Sequence, residues 1–109
     1  MCRGAGLGAE IDAAAAPLLP GVEALARAGV RTGASTRNWE SYGEAVRLDP
    51  ALPAWTRDLL TDPQTSGGLL VSVAPAGVEA VIGLAWEMGF QTVARVGRMS
   101  VREMAVEVR

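Results

Sequence analysis

Residues 62–68 read Asp-Pro-Gln-Thr-Ser-Gly-Gly, a stretch dense in polar side chains and glycines. Asp62 can accept from N–H groups two residues on and Pro63 fixes φ, so the pair begins a turn. Gln64, Thr65 and Ser66 then offer an amide and two hydroxyls. Gly67 and Gly68 permit positive φ and let the backbone approach a neighbour closely, and successive N–H groups in such a turn can form an anion-binding nest. The order of elements argues the other way. A phosphate loop of the usual kind leads from a strand into a helix whose N-terminal dipole holds the anion. Here the glycines lead into Leu-Leu-Val-Ser-Val at 69–73, an apolar run. The residues leave two readings open: a tight turn that starts a buried strand, and a loop that faces a ligand.

Other chemistry is narrowed by what the chain lacks. It has no histidine, all ten of its basic residues are arginine, and its one cysteine is Cys2. Without histidine or lysine there is no Ser-His-Asp triad, no histidine metal site, no Schiff base and no phosphate-loop lysine. Cys2 stands at a terminus expected to fray, outside the fixed electropositive setting that a reactive thiol needs. A single cysteine forms no internal disulfide, which fits a reducing compartment. Carboxylates, hydroxyls, guanidinium groups and backbone N–H groups remain. The formal net charge of −2 argues against a nucleic-acid partner. The sequence contains no run of 18 apolar residues and no basic-then-apolar leader, so a soluble, cytoplasmic protein without a membrane partner is expected.

The elements that must position the 62–68 stretch follow from pattern. Half of the 109 residues are apolar, enough for a single domain or a piece of a larger one with a core of its own. Gly4, Gly6 and Gly8 lie in a loop that enters a strand near residues 8–12; with no strand before them and no helix after, they are not a dinucleotide fingerprint. A helix follows, with Pro20 in its first turn, Val22, Leu25 and Ala26 on one face and Gly29 beyond its end. Ser35 or Thr36 caps a short helix that carries Trp39 and Tyr42 into the core. Next come a short extended piece, a proline turn, and a helical segment that turns Leu52, Trp55 and Leu59 inward. The run 69–73, with little alternation, reads as a strand buried on both faces. Residues 75–89 form the strongest helix, with Val78, Val81, Ile82 and Ala85 inward and Gly83 packed closely against a sheet. The last two strands, in 91–99 and 103–109, resemble a hairpin. The class is α/β (α+β), a mixed β-sheet covered by helices.

The segment LTDPQTSGGLLVSV closely resembles the C-terminal signature of the selenophosphate synthetase (selenide, water dikinase) family. GLGAEID, PLLPGVEALARAGV, TGASTRN and YG precede it in the family's order, so the resemblance extends over essentially the whole of 1–109. Where the family often has Pro-Gly-Gly-Thr, this chain has Thr32-Gly33-Ala34-Ser35, which keeps a small residue and a hydroxyl. The resemblance implies the C-terminal domain of an enzyme with two α/β halves, similar to the C-terminal domain of aminoimidazole-ribonucleotide-synthetase-related proteins. It implies that the whole enzyme makes selenophosphate, AMP and phosphate from selenide, ATP and water with Mg2+. The reactive Cys or selenocysteine, a lysine and the metal aspartates of the family have no counterparts here. The resemblance therefore assigns no catalytic or metal residue to this chain, and no ATP or Mg2+ is expected on it alone. Asn38, Thr65, Ser66, Gly67 and Gly68 are the implied cleft-wall residues. The implied partners are the N-terminal half of the same enzyme and, for the whole enzyme, a second copy in a homodimer. A non-catalytic interaction domain of the same fold is the alternative.

Overall fold

The computed structural model describes residues 1–102 and 104–109. Strands β1 (Gly8–Ile11), β2 (Val46–Leu48), β3 (Gly97–Ser100) and β4 (Val106–Val108) form one mixed sheet in the order β2-β4-β1-β3. β4 runs parallel to both β1 and β2, and β3 runs antiparallel to β1. Side chains alternate between the faces of a strand, and the register sorts this sheet cleanly. Val46, Leu48, Val106, Val108, Ala9, Ile11 and Met99 share one face; Arg47, Glu107, Glu10 and Arg98 line up across the other.

Helices α1 (Cys2–Ala5), α2 (Val22–Arg27), α3 (Gly33–Tyr42), α4 (Ala54–Leu60) and α5 (Val78–Glu87) complete the α/β fold, with a 3-10 turn at Pro75–Gly77 leading into α5. Two helices end as their glycines foretell. Gly29 and Gly89 take the left-handed conformation, with φ of 83° and 92°. After α2, the Val30 N–H reaches the Leu25 carbonyl and the Gly29 N–H that of Ala26; after α5, Phe90 and Gly89 do the same to Ala85 and Trp86. These are Schellman caps, which satisfy carbonyls that a helix end otherwise leaves open. α2 packs on α4, where the Arg27 guanidinium lies 4.9 Å from the Trp55 ring centroid, a cation–π contact.

Several sequence expectations change. The opening loop contains α1, closed by left-handed Gly6. The cap of α3 is Thr32, whose Oγ1 accepts from the Ser35 N–H; Ser35 and Thr36 lie inside the helix. Tyr42 is exposed on it, whereas Trp39 is half-buried and packs so near Gly43 that a Cβ there would sit 2.7 Å from the indole. Gly83 faces open space and touches no sheet. β3 and β4 are no hairpin, because β1 lies between them. Placing β4 inside the sheet pairs both of its edges and joins β2 to the rest; Glu103, the start of the expected last strand, lies outside the described residues. The largest difference is at 69–73, which joins no strand: Leu69, Leu70 and Val71 are 94 %, 65 % and 58 % exposed. A nearly unbroken apolar run becomes a buried strand only where both faces are covered, and no layer of the described residues covers this one.

Candidate functional site

The polar face of α3 is aimed at the end of α4, from which the 62–68 stretch departs. The last carbonyls of a helix have no partner within it, and α3 supplies some. Ser35, 1 % exposed, donates its hydroxyl to the Asp58 carbonyl at 2.9 Å. Asn38 donates its side-chain amide to the Thr61 carbonyl at 2.8 Å, and Thr61 donates its own hydroxyl to the Arg57 carbonyl at 2.9 Å. Asp58 lies beside Arg57 (2.9 Å) and Arg31 (3.5 Å), and the Arg57 guanidinium reaches over the Trp39 ring at 5.6 Å. Ser35, Thr56 and Thr61 are the buried polar side chains and Ala9, Ala26 and Val108 the buried apolar ones among the described residues. Hydrogen bonds from Ser35 and Asn38 therefore tie α3 to the end of α4 and to Thr61 after it.

The loop continues this network. Asp62 receives the Thr32 hydroxyl on Oδ1 and the Gln64 amide on Oδ2, both at 2.9 Å. Gly67 folds back on Gln64 so tightly that a Cβ at Gly67 would lie 2.6 Å from the Gln64 Cβ, while one at Gly68 would meet nothing within 4 Å. Neither glycine has positive φ, so close approach, at Gly67 only, is what requires glycine here. Thr65, Ser66, Gly67 and Gly68 stand together, exposed, at the tip, and the Thr65 and Ser66 hydroxyls have no hydrogen-bond partner among the described residues. Asn38 is placed apart from them, at the root of the loop, with its side-chain amide donating to the Thr61 carbonyl. The arrangement can offer two free hydroxyls to a ligand from a braced support.

Sequence reasoning missed a second polar cluster on the charged face of the sheet. Glu10, with 13 % of its side chain exposed, receives Nε and Nη2 of Arg98 from β3 at 3.0 and 2.7 Å, and Arg109 after β4 reaches the same oxygen. Arg109 also lies 3.5 Å from Glu107. The hydrogen bonds from Arg98 foremost, with the charges of Arg109, Arg98 and Arg102, hold the Glu10 carboxyl below the usual carboxylate range, against an opposing push from burial. Beside it lies an open cleft of about 550 Å³ lined by Ile11, Asp12 and Arg95 in addition. The alternation of GAEI was the signal: it puts Glu10 on the face opposite Ala9 and Ile11.

Comparison with known proteins gives the family. The chain is 54 % identical over 99 residues to the selenide, water dikinase of Burkholderia pseudomallei (strain K96243), over 91 % of this chain and 28 % of that protein. It is 50 % identical over 108 residues to that of Paraburkholderia xenovorans (strain LB400), over 99 % of this chain and 30 % of the relative, and 46 % identical over 94 residues to that of Escherichia coli O9:H4 (strain HS), over 86 % and 26 %. The chain belongs to the selenide, water dikinase family. It spans about 30 % of the length of the dikinases it matches, and no protein-family model matches it. Among the described residues no group of three or more His, Cys, Asp or Glu could hold a metal ion, so these residues do not fit the magnesium that the dikinase resemblance implies. No described helix is long and apolar enough to cross a membrane.

Proposed function

We propose that this chain is the C-terminal domain of a cytoplasmic selenide, water dikinase and forms one wall of its nucleotide cleft. The whole enzyme would convert selenide, ATP and water into selenophosphate, AMP and phosphate. Magnesium and the reactive group would be held by the N-terminal half; among the described residues there is no carboxylate cluster, and the sequence has no lysine for triphosphate. The observation that carries this reading is the near-complete match of 1–109 to about 30 % of each dikinase, with the 62–68 loop braced and its hydroxyls turned outward. Thr65 and Ser66 would offer hydroxyls to the nucleotide and Gly67 and Gly68 a surface without Cβ, while Asn38 supports the loop from its root.

The domain would also brace the N-terminal half. The exposed apolar run 69–73 supports this, as does a radius of gyration of 14.6 Å against the ~13 Å of a self-contained 100-residue domain. A chimera tests the reading: the matching 99 residues of the Burkholderia pseudomallei dikinase are replaced by those of this chain, and selenide-dependent AMP formation is measured. The chimera is expected to turn over within about tenfold of its parent and the 109-residue chain alone not at all. A folded but inactive chimera, or activity of the chain alone, would overturn the assignment; the former would favour a non-catalytic interaction domain.

A further inference from the structure

The hydrogen bonds at the root of the loop form a relay whose direction is fixed by its protons. The Ser35 hydroxyl spends its one proton on the Asp58 carbonyl. The Thr32 hydroxyl accepts the Ser35 N–H at 3.2 Å and gives its proton to the Asp62 carboxylate. That carboxylate is acceptor only, and its second oxygen takes the Gln64 amide. Gln64 in turn is the surface on which Gly67 folds. A second arm runs from Asn38 to the Thr61 carbonyl, one residue before Asp62. Thr32 and Asn38 thus hold, from one helix, the two consecutive residues from which the loop departs.

From this geometry we infer that Thr32 and Asn38 are positioning residues: they set the place of the 65–68 tip through Asp62, Gln64 and Thr61 and do not themselves contact the ligand. This rests on the reading of the tip as part of the nucleotide cleft. It reassigns Asn38 from cleft wall to support. It also gives the Asp-x-Gln-x-x-Gly spacing of the signature a physical reason: Asp62 needs two donors, and Gln64 must be both the second donor and the platform for Gly67.

The test has two arms. In the 109-residue chain, backbone 15N relaxation reports the order of Ser66, Gly67 and Gly68. Thr32→Val and Asn38→Asp keep size and remove the donor; order parameters at the tip should fall from about 0.85 to below about 0.6, the flexible range. Thr32→Ser, which restores the donor, should keep them high. Gln64→Ala breaks the relay without touching a helix and should loosen the tip as well, even if a helix variant fails to fold. Unchanged order parameters in Gln64→Ala and in whichever of Thr32→Val and Asn38→Asp folds would overturn the inference. In the chimera, kcat/KM for ATP should fall about tenfold with Thr32→Val and Asn38→Asp and recover with Thr32→Ser. A loosened tip with unchanged kcat/KM would leave the relay standing and sink the cleft reading; a fall in kcat/KM with an unchanged tip would do the reverse.

Discussion

Gly97 lies in β3 opposite Ile11 of β1, at a close backbone approach. A Cβ there would run into the Glu10 carbonyl oxygen and lie 3.1 Å from both the Glu10 carbonyl carbon and the Ile11 Cα. These are backbone atoms of a strand paired on both sides, so no side chain can swing away to relieve Gly97→Ala. Relief must come from edge strand β3 tilting off β1, at the cost of ladder hydrogen bonds worth about 0.5–1.5 kcal/mol each. Two such bonds give a loss of about 1–3 kcal/mol, which matches the range typical of overpacking. At ~4–8 °C per kcal/mol for a domain of 60–100 residues, melting should fall by roughly 4–24 °C. Gly83→Ala is the contrasting variant: it fills open space in the interior of α5, where alanine is favoured over glycine by ~1 kcal/mol, and should raise melting by several degrees. Thermal unfolding followed by far-ultraviolet circular dichroism measures both. A Gly97→Ala chain that melts within about 3 °C of the parent, or a Gly83→Ala chain that melts lower, would refute the packing described for the sheet and for α5.

Gly67→Ala should lower stability by about 1 kcal/mol, because the loop can yield by releasing the Gln64–Asp62 bond, whereas Gly68→Ala should stay within about 0.5 kcal/mol of the parent; equal effects in urea unfolding would contradict the contact. Glu10 has its carboxyl pKa depressed in the folded chain, chiefly by the Arg98 hydrogen bonds, so its stabilising contribution is complete above the ordinary carboxylate value and is lost as pH falls through the lower folded value. The melting difference between the parent and Glu10→Gln should therefore be full at pH 7 and shrink only below the ordinary value of 4.5; a difference that vanishes already at pH 6 would rule this out.

The fold class was legible because its signals are local. Alternation in GAEI and VEV marks two strands, and glycines at 29 and 89 mark two helix ends, since φ > 0 costs glycine little. Pairing was not legible. Putting β4 between β1 and β2 depends on which edges are free, a property of the assembled sheet that no local pattern carries. The same divide separates parts of the site. The polar, hydroxyl-bearing character of the 62–68 stretch was readable, but the partners were not: Asp62 accepts from the Thr32 hydroxyl and the Gln64 side-chain amide, and an asparagine in sequence does not reveal that its amide reaches the Thr61 carbonyl. The donor it uses, and the 2.6 Å approach that requires glycine at 67, are tertiary facts.

The run 69–73 shows where a correct local rule needs a wider context. Five nearly unbroken apolar residues satisfy the condition for a strand covered on both faces, but the condition concerns what surrounds the strand. In these 109 residues Leu69 is almost wholly exposed, and the flanking glycines lead from a braced loop into an uncovered segment. Large exposed apolar patches are typical of interaction surfaces. If the run packs in the longer protein, the two readings of the 62–68 stretch cease to compete. The relay from α3 fixes one end of the loop and the docked run would fix the other, so that a tight structural turn is what would hold two hydroxyls toward a ligand.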